Sequence, residues 1–199
     1  ARAGYHHLRA GDIDITLAVA PPRCFGVADA LHLDNPDAAR LWGLGVQLYS
    51  LRRAGGGGIG DFGALTTLAR QAASHGAGAL AISPVHAMFS ADVTRFSPYG
   101  PSSRLFINAL HIDPSTVLGE QAFRTALAAL GGDAAARLAQ LEQAELIDWP
   151  AAASLRLALL RKLYERFIEA GADRGEFDAF RAQGGEALRD HARFEALYA

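Results

Sequence analysis

The sequence predicts an α/β protein in three stretches: the end of a β domain with a linker over 1–40, the start of a parallel strand–helix domain over 41–114, and a helical subdomain over 115–199. Three observations carry this. Two strand-length apolar runs flank one capped helix within about 40 residues of chain, the spacing of a βαβ unit. A hairpin pattern precedes them. Four segments of helical periodicity follow, separated by glycine and proline.

In chain order, Tyr5–Leu8 and Ile13–Val19 are β-type runs with Gly11-Asp12 as the turn between them. Two strands alone are marginal in water, so this hairpin reads as the end of a β domain. Pro21-Pro22 stops the second strand, and Asp34-Asn35-Pro36-Asp37 reads as a linker. From Trp42 to Leu51 the chain is mostly apolar, as suits a strand buried on both faces. A run from Gly55 to Gly60 reads as a mobile glycine loop. Asp61 stands as the N-cap of a helix over 61–75, whose apolar positions Leu65, Leu68, Ala69 and Ala72 lie on one face before Gly76. Ala79–Ser83 is the second buried strand, parallel to the first through a right-handed crossover. Leu105–Asp113 is strand-like up to Pro114, and helices are expected over 120–130, 134–146, 151–170 and 176–198.

The composition is that of a soluble globular chain: 199 residues, 50% hydrophobic and 20% charged, with a formal charge of −2. Eighteen of its 19 basic residues are Arg, scattered without a basic stripe, which argues against nucleic-acid binding. No apolar run is long enough for a membrane span, and no signal peptide is visible. A single cysteine, Cys24, allows no internal disulfide and no cysteine-rich zinc site, and fits a cytoplasmic setting. The chain opens Ala1-Arg2-Ala3 with its only methionine at Met88, so either the initiator has been trimmed or this is a piece of something longer.

Gly55–Gly60 satisfies G-x-G-x-x-G between a strand and a helix. A phosphate there would compete with the Asp61 carboxylate for the helix N-terminus, and Ser83-Pro84-Val85-His86 offers no acidic residue to hold a ribose. The reading is therefore a loop leading into a capped helix. The seven histidines form no metal-ligand spacing, so neither metal nor cofactor is expected; His86 stands out only because it follows a strand end. Ser50, Ser83 and Ser97 lack a nucleophile elbow.

Ser97-Pro98-Tyr99-Gly100-Pro101-Ser102-Ser103-Arg104 is more informative. Two prolines fix the backbone around Tyr99 and nearby hydroxyls can bond the turns, which holds an aromatic ring on a rigid loop. Such a ring offers a face for a sugar's C–H surface and a phenol for its hydroxyls. The alternative, equally open on these residues, is a tyrosine that packs the loop onto its own domain.

These segments resemble the 4-alpha-glucanotransferases of the amylomaltase, or disproportionating enzyme, family. Trp42–Arg52, Gly58-Ile59-Gly60-Asp61-Phe62-Gly63, Ser97–Arg104 and Ile112-Asp113 match the opening of that family in order. Leu146-Ile147-Asp148-Trp149-Pro150 and Leu188–Phe194 resemble its helical insertion, and Gly4-Tyr5-His6 with Ala20–Cys24 the end of its N-terminal β domain. Gly58, Ser83 and Ala109 depart from the family's usual aromatic residue, Asn and Pro.

The resemblance implies the first strands of a TIM (β/α)8 barrel, incomplete in this chain, since a full barrel takes about eight strand–helix units and ~250 residues. It implies a retaining enzyme that cuts an α-1,4-glucan, holds the donor part covalently and passes it to another glucan. Maltodextrin is then the partner, with oligomeric state left open. The nucleophile and the acid/base carboxyl fall after residue 199, so Asp61, Asp92, Asp113 and Asp148 are assigned no catalytic role and the chain alone is expected to be inactive. Tyr99 matches the family's tyrosine beside the sugar at the cleavage point, and Ser97-Pro98 its supporting turn. Two alternatives stand: another amylase-like enzyme, such as a maltooligosyltrehalose synthase, and a non-catalytic glucan-binding module.

Overall fold

The computed structural model describes residues 2–35, 40–171 and 174–198. The chain divides into two compact units, Ala1–Trp42 and Gly43–Ala199. In the first, β1 (Gly4–Ala10) pairs antiparallel with β2 (Ile13–Val19) in the register Gly4↔Val19 to Ala10↔Ile13. Gly11, at φ +63°, supplies the left-handed residue of the two-residue turn. A single helical turn, α1 (Val27–Ala30), is anchored by Asp29, which accepts two hydrogen bonds from Arg23, each 2.6 Å, and one from the Gly26 amide. The Arg23 hydrogen bonds, joined by the amide, hold the Asp29 carboxyl down at about 2. Of the linker read at 34–37, Pro36 and Asp37 lie outside the described residues.

In the second unit, β3 (Gly43–Val46) and β4 (Ala79–Ile82) are parallel neighbours joined through α2 (Phe62–Ser74), with Gly43 opposite Ala79 and Val46 opposite Ile82. The pairing requires glycine at one point: a Cβ on Gly43 would lie 2.4 Å from the Ala79 carbonyl oxygen. As expected, Asp61 caps α2, its carboxylate accepting from the Ala64 amide at 2.9 Å.

The apolar run over 42–51 proves shorter as a strand than it reads. After Val46 the chain turns into a 3-10 turn, Leu48–Ser50, because the buried Ser83 hydroxyl accepts the Leu48 amide at 3.0 Å and draws the end of β3 toward the end of β4. Nor are β3 and β4 buried on both faces. They pair only with each other among the described residues, and Leu44 and Ile82 remain exposed.

The strand read over 105–113 is β6 (Ser103–Ile107), antiparallel to the short β5 (His86–Ala87), and it gives way to a 3-10 turn at Ala109–His111. Asn108 causes the break, its side-chain oxygen accepting the Leu110 amide at 3.0 Å.

Pro114 opens a helical turn, α3 (Pro114–Val117), capped by Asp113. Then follow α4 (Glu120–Ala129), α5 (Ala134–Gln143), α6 (Trp149–Glu169) and α7 (Gly175–Tyr198), close to the expected ranges. Gly185, at φ +56°, kinks α7 in its middle. The hydrophobic core lies between α4, α5 and α6, built from Phe123, Ala126, Leu138, Leu141, Leu155, Leu159 and Leu163, with Ile59 of the glycine loop inserted into it. The fold is a mixed helix and sheet structure.

Candidate functional site

Tyr99 sits on the loop between β5 and β6. The base of that loop is closed by Ser102, whose amide and hydroxyl both donate to the Ala87 carbonyl, at 2.9 and 3.1 Å. Near its tip the Gly100 amide donates to the Ser97 carbonyl at 3.1 Å, a tight turn around Pro98-Tyr99. It is the Ser97 carbonyl, and not its hydroxyl, that makes the turn. Pro98 is half-buried and Ser97 exposed. Tyr99 is 66% exposed, and among the described residues its hydroxyl has no partner. What the loop presents outward is an aromatic face and a free phenol on a constrained backbone, the combination suited to a pyranose.

The loop is braced from two sides that the sequence alone did not reveal. Phe96, just before Ser97, stacks on Trp149 with ring centroids 5.0 Å apart and planes 5° from parallel. Tyr49, from the 3-10 turn after β3, meets the same indole edge-on at 5.3 Å. On the other side α7 supplies Glu195, which accepts from the Ser90 amide at 3.2 Å and from the Ser90 hydroxyl. It also supplies His191, stacked 4.5 Å from Phe106. Between loop, α6 and α7 lies a cleft of about 300 Å³ lined mainly by apolar atoms, with Phe89, Arg95, Phe96, Trp149, His191 and Glu195 among its walls. His86 is half-buried on β5 opposite Ile107 and does not line the cleft.

The carboxylates near the strand ends are committed to structure. Asp61 is fully buried and Asp113 nearly so. Arg53 bridges them, 3.1 Å from an Asp61 oxygen and 2.5 Å from one of Asp113. Arg156, 3% exposed on α6, lies 3.6 Å from Asp61 and donates to the carbonyls of Gly56, Ile59, Leu110 and Ile112. Burial lowers the Arg156 pKa and the Asp61 charge opposes that shift. Two cations and two anions leave the cluster neutral, as burial requires. His111 is 4% exposed beside it. Burial pushes the imidazole below its usual range, against the Gly60 carbonyl, which favours its charged form; Arg156 adds to the depression. Asp92 caps a turn, accepting the Thr94 amide, and Asp148 caps α6, accepting the Ala151 amide. Each of the four aspartates accepts a hydrogen bond or ion pair from within the chain.

The glycine loop differs from its expectation. Rather than mobile, it is buried from Gly56 to Gly60 and fastened to the helices. The Gly57 amide donates to Glu142 at 3.0 Å, so a carboxylate of α5 holds the loop backbone. A Cβ on Gly60 would lie 2.0 Å from the Leu48 carbonyl oxygen, and one on Gly63 2.1 Å from an Asp113 oxygen. These glycines serve close packing. Among the described residues no three His, Cys, Asp or Glu side chains stand together as metal ligands, and no helix is long and apolar enough to cross a membrane.

Comparison with known proteins places the sequence in a family. The family described as 4-alpha-glucanotransferase matches residues 46–199. The 4-alpha-glucanotransferase of Haemophilus influenzae is 32% identical over 164 residues, covering 79% of this chain and 24% of that protein. Those of Mycobacterium bovis and Mycobacterium tuberculosis are each 34% identical over 206 residues, covering 98% of this chain and 27% of theirs. This chain belongs to the 4-alpha-glucanotransferase family. It spans about a quarter of the length of the curated relatives it matches.

Proposed function

We propose that these residues form the opening of a 4-alpha-glucanotransferase that transfers α-1,4-glucan segments between maltodextrins in the cytoplasm. The observation that carries the reading is Tyr99, exposed and unpartnered on a loop tied at base and tip, in a chain of this family. In this reading β3, α2 and β4 begin a (β/α)8 barrel over 41–114, residues 1–40 close an N-terminal β domain, and 115–199 are a helical subdomain. Tyr99 packs on the glucose at the donor side of the scissile bond, and Ser97-Pro98 shape the turn that presents it.

The reaction is a retaining one. A nucleophilic carboxylate displaces the leaving glucan and forms a glycosyl-enzyme. A second carboxyl group, about 5 Å away, protonates the departing oxygen and later deprotonates the acceptor's 4-hydroxyl. That pair lies outside these 199 residues. The commitment of Asp61 and Asp113 to Arg53 and Arg156, of Asp92 to a turn and of Asp148 to the cap of α6 supports this. Incubation with maltotriose tests the proposal: the 199-residue chain releases no glucose, whereas a longer protein that includes it produces glucose and extended maltodextrins. Disproportionation by the 199-residue chain at a rate typical of a whole enzyme overturns the placement of the carboxylates. Failure of the longer protein to act on any α-1,4-glucan overturns the function.

A further inference from the structure

The segment Ile147-Asp148-Trp149-Pro150 has no role in the reading above, yet its indole sits where the loop and the strand end meet. We propose that Trp149 is a positioning residue for Tyr99, transmitting the location of the end of β3 to the sugar-facing loop; the inference rests on Tyr99 being a substrate contact. Four observations support it.

Trp149 is the first residue of α6, and its backbone is fixed by the Asp148 cap on the Ala151 amide and by Pro150. Tyr49, which grips one edge of the indole, is itself anchored, its carbonyl accepting the amide of the buried Gly60 at 2.8 Å. Phe96 lies flat against the indole although 46% exposed, so the stack holds this ring more than core burial does. From Phe96 to Tyr99 the chain has little freedom: Pro98 fixes one φ, and the Gly100–Ser97 hydrogen bond closes the turn. Moving Phe96 therefore moves Tyr99 with it. A displacement of about 1 Å at a substrate-aligning side chain is enough to slow chemistry far more than it weakens binding.

Two measurements test this. In the longer enzyme, Trp149→Ala should lower kcat/KM on maltotriose about tenfold, with most of the loss in kcat, and Trp149→Phe should recover all but about twofold. The double variant Tyr99→Ala with Trp149→Ala should be no slower than Tyr99→Ala alone, because the indole acts through the phenol; losses that multiply overturn the proposal.

In the 199-residue chain, trypsin should cut after Arg95 about tenfold faster in Trp149→Ala, and at the parent rate in Trp149→Phe, with cleavage after Arg137 on α5 unchanged. Equal cleavage after Arg95 in all three overturns the positioning role. If Tyr99→Ala leaves kcat and KM unaltered, the substrate contact fails and with it any role for Trp149 in catalysis, while the proteolysis result still decides whether the indole holds the loop. Where Trp149→Ala does not fold, Phe96→Ala removes the same stack from the loop side and is held to the same outcomes.

Discussion

Tyr99 and Arg156 show how unequally single residues announce themselves. Two prolines and a run of hydroxyls mark Tyr99 in the sequence, because local chemistry builds its loop. Arg156 is one of 18 arginines at ordinary helical spacing, and its partners are carbonyls 44 to 100 positions away, so no local pattern reveals it. Replacing Tyr99 by Ala in the longer enzyme should cost about 2 to 4 kcal/mol in kcat/KM, part of it in kcat, and Phe should lose less by keeping the ring. Steady-state rates on maltotriose, with the fold checked by circular dichroism, measure this. His111 supplies a pH dependence. Its pKa is depressed in the folded state, so the unfolded chain binds its proton first as pH falls. Its contribution is fully present above the unfolded value near 6.5 and is lost as pH falls from there toward the folded value. A His111→Gln chain should accordingly show less loss of Tm than the parent between pH 7.5 and 5.5.

Among the elements, those bounded by strong breakers were legible and those bounded by side-chain hydrogen bonds were not. Gly131-Gly132, Pro150 and Gly171 delimit the helices in both sequence and structure. The ends of β3 and β6 are instead set by Ser83 and Asn108, whose side chains capture amides from beyond the strand, and an apolar run cannot signal that. The glycine loop was misread for a related reason: its composition is that of a flexible linker, whereas its backbone is clamped by side chains from α5 and α6. Arg52 adds to the clamp by donating to the carbonyls of Leu141, Glu142, Ala144 and Glu145 at the end of α5, the terminus where a cation is favoured. Arg52→Met should destabilise the chain by about 2 kcal/mol in urea unfolding. Gly60→Ala, which drives a methyl group into the Leu48 carbonyl, should cost about 3 kcal/mol.

At the scale of the whole molecule, the strands of the second unit carry more exposed apolar surface than an isolated sheet tolerates. Leu105 is 78% and Ile107 63% exposed on β6, and both edges of the β3–β4 pair are open among the described residues. The 199-residue chain should therefore bind a hydrophobic dye and associate as its concentration rises in sedimentation velocity, and Leu105→Lys with Ile107→Lys should reduce both. The Arg156 cluster has a different consequence, in the order of folding events. Its bonds to Gly56 and Ile59 join residues 100 and 97 positions apart, and closing a loop of that length costs about 4 kcal/mol of chain entropy before any contact repays it. The contacts within α4, α5 and α6 span far shorter separations and are expected to form first, with the guanidinium locking into place after the rate-limiting barrier. In a stopped-flow series Arg156→Met should steepen loss of the native state, raising the unfolding rate at every denaturant concentration while the folding limb stays superimposed on the parent's, which makes this arginine a brake on unfolding and no accelerator of folding.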